Sequence, residues 1–464
     1  MIKIYLKTAI RFLQKNKTFS LINVTGLAIG TLCCLYIILY VQDHYSYDKQ
    51  HPNAQDIYRI NTIWTAQNEK DNWATVTAPV APTMKNDFPE IEEYTRVIPG
   101  VGMDHHLLSY KDRSVYENDA VWADSTFFRL FNFHFTSGSA ATALAAPYTV
   151  VLMKPIADKL FGNEDPVGKV IQVKNRGTSN LTVSGVIDES LGKSHIHAGF
   201  FMSMNSDGYG AFFNHNDSWT GHNFIISYIK LRPHTNVTAL ESKFPAFVKR
   251  HAQTQLQKEG MQKQFFLQSL RTIHTTPGFK GLELSKPVSP VFLYILILIA
   301  VLIQIIACIN FMNLSTARAA KRAKEVGVRK VIGAGKRDLV KQFLSESFLL
   351  SLMGVLIALP LLIVMLPFLN QITSAAVQLQ FLSDHRVWLI LAGIMIITGL
   401  AAGSYPAFYL SAFKAAKVIK GNFTSRNSAP GIRRTLVVFQ FALSIVLITA
   451  IIVIYSQLHY IKKT

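Results

Sequence analysis

Cysteine is nearly missing from this chain of 464 residues, which holds three: Cys33, Cys34 and Cys308. All three fall inside apolar runs, so the polar remainder has neither a disulfide framework nor a thiol nucleophile. Charge is scarce as well, at 16% of residues against roughly 25% in soluble globular chains. Acid is scarcer than base: 28 Asp and Glu stand against 47 Lys and Arg, a formal +19. No Gly-x-Ser-x-Gly elbow and no His-Glu-x-x-His zinc motif occurs, so hydrolase and zinc-protease chemistry lack their residues. A phosphate-binding loop is missing too. Gly335-Lys336 is followed by Arg337 instead of the Ser or Thr that would hold magnesium, and Lys330 stands where the first glycine belongs. ATP binding by that route is excluded. Low charge and 50% hydrophobic residues also exclude a cytosolic, disordered or collagen-like chain. Nucleic-acid binding would account for the positive excess but not for long apolar runs, so no nucleic-acid partner is expected.

What is present is five apolar runs close to the ~20 residues that span a bilayer core. They give crossings at 20–41, 290–312, 343–369, 387–410 and 435–456. The third holds Pro360 and Pro367. The charges then orient them. Segments 1–19, 313–342 and 411–434 together carry 20 basic and two acidic residues, whereas 42–289 carries 24 of each. Basic residues packed into short segments beside apolar runs mark the cytoplasmic side. The N-terminus is therefore expected inside and 42–289 outside, with a short outer loop at 370–386 and an outer tail at 457–464. The fold class expected is an α-helical transmembrane bundle of five crossings with a large extracytoplasmic α+β domain. The first run is long and lacks a small-residue cleavage site, which predicts a retained anchor. Apolar side chains at 2, 6, 9, 10 and 13 between basic ones predict an amphipathic helix in 1–19, lying on the inner leaflet of the lipid bilayer.

Within 42–289, β-branched and aromatic alternation predicts strands at 57–64, 181–187 and 224–231. Residues 78–88 and 238–249 read as helices, and Gly162, Pro166 and Gly168 as loop punctuation. His195-Ile-His197 would put two imidazoles on one face of a strand, the spacing of a metal pair. His105-His106 is distant in sequence and no acidic cluster lies near, so the preferred reading is packing or surface, with no metal. Asp43, Asp48 and Asp56 read as solvated loop and cap residues. No enzymatic constellation emerges.

The segment after the second crossing is more informative. A basic helix is expected from Ser315 to Lys324, with Gly327 and Gly333-Ala-Gly335 allowing sharp turns. Between them lies Val328-Arg-Lys-Val-Ile332, mixed apolar and basic. A plain positive-inside anchor needs charge alone. It needs neither the glycines nor Val326, Val328, Val331 and Ile332, which read as buried. Residues 313–342 are thus expected to form a docking element for a cytoplasmic partner.

Here the sequence resembles a known family, the MacB/FtsX-type permease subunits of ABC transporters, in the long form common in Bacteroidetes. The resemblance rests on Arg322-Ala-Lys-Glu-Val-Gly-Val-Arg-Lys-Val-Ile-Gly-Ala334, Gln342-Phe-Leu-Ser-Glu-Ser-Phe-Leu-Leu350 and Gly403-Ser-Tyr-Pro-Ala-Phe-Tyr-Leu-Ser411. It extends to Lys15–Gly30, Tyr47-Asp48, Ile57-Tyr-Arg59 and Lys159–Lys169, and so covers essentially the whole chain. It implies a bacterial inner-membrane permease with a MacB-like periplasmic core domain and no ATP-binding motif of its own. ATP and magnesium would sit on a separate cytoplasmic ABC ATPase dimer. The coupling residues implied are Arg322, Lys324, Glu325, Val326, Gly327, Val328, Arg329, Lys330, Gly333 and Ala334. ATP-driven closure would reshape the periplasmic domain, for efflux or for lipoprotein or peptide handling. A periplasmic adaptor and an outer-membrane channel are further partners the family uses. The alternative is a transmembrane signalling or cell-wall-hydrolase-regulating protein with a periplasmic ligand-binding domain. The short family form has four crossings, so the fifth, after Arg433-Arg434, reads as the start of a second permease half in a truncated chain. That half would come from a tandem chain or from a homodimer.

Overall fold

The computed structural model describes residues 17–66, 69–100, 105–175, 177–189, 191–317, 319–373, 375, 377, 379–411 and 430–461. The amphipathic helix expected in 1–19 lies, up to residue 16, outside these residues, as do 412–429 of the expected inner linker and 462–464 of the tail. Contacts divide the chain into two units, one of Met1–Asp43 with Val291–Thr464 and one of His44–Pro290. The described residues begin with α1 (Lys17–His44), an apolar helix that buries Val24, Leu27, Leu32, Leu35 and Leu39 at helical spacing.

The unit His44–Pro290 is built on one mixed sheet. Its strands are β1 (Ile57–Ala66), β2 (Glu69–Trp73), β3 (Ile91–Pro99), β4 (His106–Tyr110), β5 (Arg113–Glu117), β6 (Ala120–Ala123), β7 (His134–Gly138), β8 (Thr149–Met153), β9 (Val170–Lys174), β10 (Thr178–Asp188), β11 (Phe200–Ser203), β12 (Ile226–Leu231) and β13 (Met261–Ser269). The order is β13-β1-β12-β3-β6-β11-β8-β10-β9-β4-β5, with β2 on β1 and β7 on β10. Side chains of a strand alternate between faces. In β9, Ile171 and Val173 accordingly turn inward while Val170, Gln172 and Lys174 face out. The pairs β6–β11 and β8–β10 are parallel, the remainder antiparallel.

Short helices cover the sheet: α2 (Val80–Asp87), α3 (Phe127–Leu130), α4 (Lys154–Phe161), α5 (Tyr209–Asn214), α6 (Val237–Glu241), α7 (Phe244–His251), α8 (Gln253–Lys258) and α9 (Leu270–Ile273). Parallel neighbours need a crossover, and α4 lies on the one between β8 and β10, burying Ile156, Ala157, Leu160 and Phe161. The single helix expected over 238–249 is two. Pro245 has no N–H to continue an earlier helix, so it starts α7 in its first turn. Asn236 caps α6 by accepting from the Ala239 N–H at 3.1 Å. A Phe-rich core of Phe127, Phe128, Phe131 and Phe201 packs with Tyr228.

The other unit continues with α10 (Pro290–Ala317), α11 (Ala319–Val331), α12 (Lys336–Thr373), α13 (His385–Ser411) and α14 (Pro430–Ile461). A short 3-10 turn, Leu379–Ser383, precedes α13. Five helices, α1, α10, α12, α13 and α14, are long and apolar enough to cross a membrane. With the mixed-sheet unit, they make the α-helical membrane bundle and α+β domain expected. Pro360 and Pro367 lie inside α12 without ending it. Leu35 and Leu39 of α1 pack with Ala358, Leu362 and Leu366 of α12 and with Val387 and Leu391 of α13.

Candidate coupling site

The site grows from one helix end. α11 closes at Gly333, whose φ of +102° suits a residue without Cβ. The Gly333 N–H donates to Lys330 O at 3.1 Å and the Ala334 N–H to Arg329 O at 3.0 Å. These are the paired bonds that satisfy the last carbonyls of a helix closed by a left-handed glycine. Two residues on, Gly335 precedes α12, and Asp338 lies in its first turn, where a negative charge meets the positive end of the helix dipole. The expected turn at Gly333-Ala-Gly335 is therefore present. Gly327 is different: it is buried inside α11, so it serves close packing and makes no turn. The segment Val328–Ile332 likewise continues α11 instead of standing apart, with the Ile332 N–H still donating to Val328 O at 3.1 Å.

One face of α11 is held down. Val326 is buried with Leu339, Phe343 and Ala407. Arg329 donates to Glu325 Oε1 at 2.6 Å and to Gln342 Oε1 of α12. Lys330 Nζ donates to the carbonyl of Ser411, in the last turn of α13, at 2.8 Å. The opposite face is bare: Val328 is 49%, Val331 65% and Ile332 80% exposed. Spaced at i, i+3 and i+4, these three form one apolar stripe. The expectation that they are buried with Val326 is corrected, since a helix cannot turn positions 326 and 328 to the same side. Arg322 and Lys324 belong to α11, and their side chains lie outside the described residues. Glu325 is exposed and Ala334 half-buried. Gln342 and Ser411 hold α11 from its packed side, away from the bare stripe, and Glu346 in turn holds Gln342; sequence reasoning gave these three no role there. The signal was Gln342 and Glu346, two polar groups four residues apart where an apolar run begins.

A second polar cluster lies in the unit His44–Pro290. Asp48 is 1% exposed, which corrects its reading as a solvated residue. Its Oδ1 accepts from Ser194 Oγ at 2.9 Å and from the His195 N–H at 3.1 Å, and its Oδ2 lies 2.9 Å from His195 Nδ1. His195 Nε2 meets the Tyr228 hydroxyl at 2.7 Å. Burial alone would raise the Asp48 pKa. The imidazoles of His195 and His51 outweigh it and hold the carboxyl well below the usual carboxylate range. Burial pushes the Tyr228 hydroxyl upward. His44 Nδ1 and His274 Nε2 are 2.9 Å apart, and the Tyr47 ring stacks on His274 at 3.6 Å. Burial first, then the His44 charge, pushes His274 down to about 4. His195 and His197 do not share a strand face. They lie in the loop before β11, where His195 is buried and His197 points to Asp119, 3.4 Å away. Among the described residues, no group of three or more His, Cys, Asp or Glu side chains is arranged to hold a metal ion.

Residues 20–247 match the MacB-like periplasmic core domain, and residues 297–416 match the FtsX-like permease C-terminal domain. A macrolide export ATP-binding/permease protein MacB of Neisseria gonorrhoeae is 25% identical over 289 residues, covering 58% of this chain and 37% of that protein. The chain thus spans little more than a third of the length of this curated relative. Among solved structures, a domain described as belonging to a permease protein of Porphyromonas gingivalis covers 53% of this chain and 98% of its own, at 21% identity and a TM-score of 0.40. The periplasmic region of MacB from Actinobacillus actinomycetemcomitans covers 47% and 91%, at 16% identity and a TM-score of 0.32.

Proposed function

Because this chain belongs to the MacB/FtsX-type permeases, we propose that it is the membrane half of an ABC transporter that works with a separate cytoplasmic ABC ATPase dimer. In this reading Glu325 to Ala334 dock on the ATPase, and closure of the ATPase on ATP moves α10 and α12 and reshapes the periplasmic domain. The work serves export or the handling of lipoproteins or peptides. The N-terminus is cytoplasmic, the membrane is the bacterial inner membrane, and α14 opens a second permease half.

The observation that carries this reading is the two-faced α11. Its inner face is fastened to α12 and α13 by Val326, Arg329 and Lys330, while Val328, Val331 and Ile332 stand bare. Apolar surface left in water forgoes about 25 cal/mol of stabilisation per Å², and a partner that covers it recovers that term. Basic neighbours give such a stripe orientation without adding much affinity.

The test places a photo-crosslinking residue at Ile332 and, separately, introduces Val331→Asp with Ile332→Asp. Cross-links to an ABC ATPase of the same genome are expected. The double variant should lower recovery of that ATPase at least about tenfold, a loss of about 1.4 kcal/mol. Both positions are exposed, so the chain itself should melt as the parent does. Undiminished recovery would remove α11 from the interface.

A further inference from the structure

The docking reading leaves a buried carboxylate in α12 unused. Glu346 is 5% exposed and lies where the apolar part of α12 begins. Its Oε1 accepts from Gln342 Nε2 at 3.1 Å, and Gln342, itself 7% exposed, accepts at its Oε1 from Arg329 Nη1. Arg329 also grips Glu325 Oε1 at 2.6 Å. A line of hydrogen bonds thus runs from an exposed carboxylate on α11 to a buried one in α12.

The chemistry of the middle link decides its direction. A side-chain amide has one accepting and one donating end. With oxygen toward the guanidinium and nitrogen toward the carboxylate, both bonds form; flipped, the amide faces donor to donor and acceptor to acceptor. Other residue types fail in distinct ways. Lysine would repel Arg329, glutamate would repel Glu346, and an apolar residue would take this partner from both.

Apolar contacts around Val326 hold α11 near α12 but have no preferred direction, so they permit sliding. Hydrogen bonds fix register. The neighbouring Ser347 packs tightly on α13: a Cβ placed on Gly403 would lie 2.6 Å from Ser347 Oγ. The line from α11 therefore ends on a turn of α12 that packs against α13.

We propose that Gln342 is a positioning residue that ties the docking helix α11 to Glu346, so that a pull on α11 turns α12 instead of flexing the Gly333 loop. The proposal rests on the docking reading above and adds the route by which movement enters the membrane.

The experiment uses the full chain in lipid nanodiscs with the ATPase captured at Ile332. Three quantities are read separately: ATPase recovery, ATP hydrolysis, and the ATP-induced change in hydrogen exchange over residues 343–360. Gln342→Met keeps the side-chain length and removes both bonds. It should leave recovery within twofold of the parent while the exchange response per ATP hydrolysed falls at least fivefold. Glu346→Gln, whose amide oxygen still accepts from Gln342, should keep more than half of the response, as should Ser345→Ala on the same turn. If Gln342→Met does not fold, Gln342→Asn, which keeps the amide but shortens its reach, carries the same expectation. A parent-like response in the Gln342 variant overturns the proposal. So does a Glu346→Gln response as low as that of Gln342→Met, because charge and not the amide link would then be at work. A parent chain that recovers no ATPase defeats the docking reading, and this proposal with it, before any variant is compared.

Discussion

Asp48 has a positive φ of 60°, is almost wholly removed from water, and still accepts bonds from Ser194 and His195. An ionised carboxylate can only accept, so His195 Nδ1 must carry the proton between them. His195 Nε2 meets the Tyr228 hydroxyl at 2.7 Å, so the line of hydrogen bonds runs on from the carboxylate into the Phe-rich core. Removing one partner of a buried pair leaves the other uncompensated, at about 3–5 kcal/mol. Asp48→Asn should therefore destabilise the outer unit by roughly that amount, read as an earlier urea midpoint of tryptophan fluorescence. The pH dependence follows in sign from two groups. The depressed Asp48 pKa contributes stability that is present above the unfolded carboxylate pKa of about 3.9 and is lost as pH falls through the lower folded value. His274 acts at higher pH. Its folded pKa of about 4 lies below the unfolded value of about 6.5, so between those limits the unfolded chain binds the extra proton. Stability should fall as pH drops from about 6.5 to about 4, and His274→Gln should flatten that slope. Neither effect was legible in the sequence. Asp48 sits among Tyr, Lys and Gln in a polar stretch; His51 is three residues on, but Ser194 and His195, which bond it, arrive from 146 and 147 positions away.

Helix packing in the membrane unit depends on glycine placed against a neighbour. An added Cβ on Gly403 of α13 would meet Ser347 Cβ at 2.7 Å, and one on Gly354 of α12 would meet Leu27 Cβ at 3.0 Å. Lipid supplies no hydrophobic drive between helices, so close backbone approach is what holds them. Gly403→Ala should lower the thermal midpoint of the detergent-solubilised chain, with an overpacking cost of about 1–3 kcal/mol. Ser347→Gly combined with Gly403→Ala should restore most of it, because the clash needs both side chains. A double variant no better than the single would place the strain elsewhere. The elements themselves were largely readable. Long apolar runs report helices whatever their neighbours, and period-two alternation found β1, β10 and β12. The faces were harder. Gly327 and Gly333 look alike in sequence, yet one is packed inside α11 and the other closes it in a left-handed turn. Val326 and Val328 look alike too, and they separate only when the helical turn sends them to opposite sides.

At the scale of the whole chain, the charge distribution makes a claim about sidedness. The segments 1–19, 313–342 and 411–434 hold nearly all of the +19, and each adjoins an apolar helix. Arg and Lys within about 15–20 residues of a crossing resist translocation, whereas long domains cross regardless of charge. The neutral 42–289 is therefore free to lie outside, and the basic segment 313–342 is not. Five helices in sequence alternate consistently with all three basic segments on one side. The residues of the bare α11 stripe and those of the sheet unit should then react from opposite faces of the membrane. Ile332→Cys and Tyr116→Cys suit this test, being 80% and 72% exposed. The native Cys34 and Cys308 are buried and Cys33 partly so. In spheroplasts, a membrane-impermeant maleimide should label Tyr116→Cys within minutes and reach Ile332→Cys only after lysis. Equal labelling of both before lysis would put α11 and the sheet on the same side. An ATPase in the cytoplasm could not then act on one to move the other.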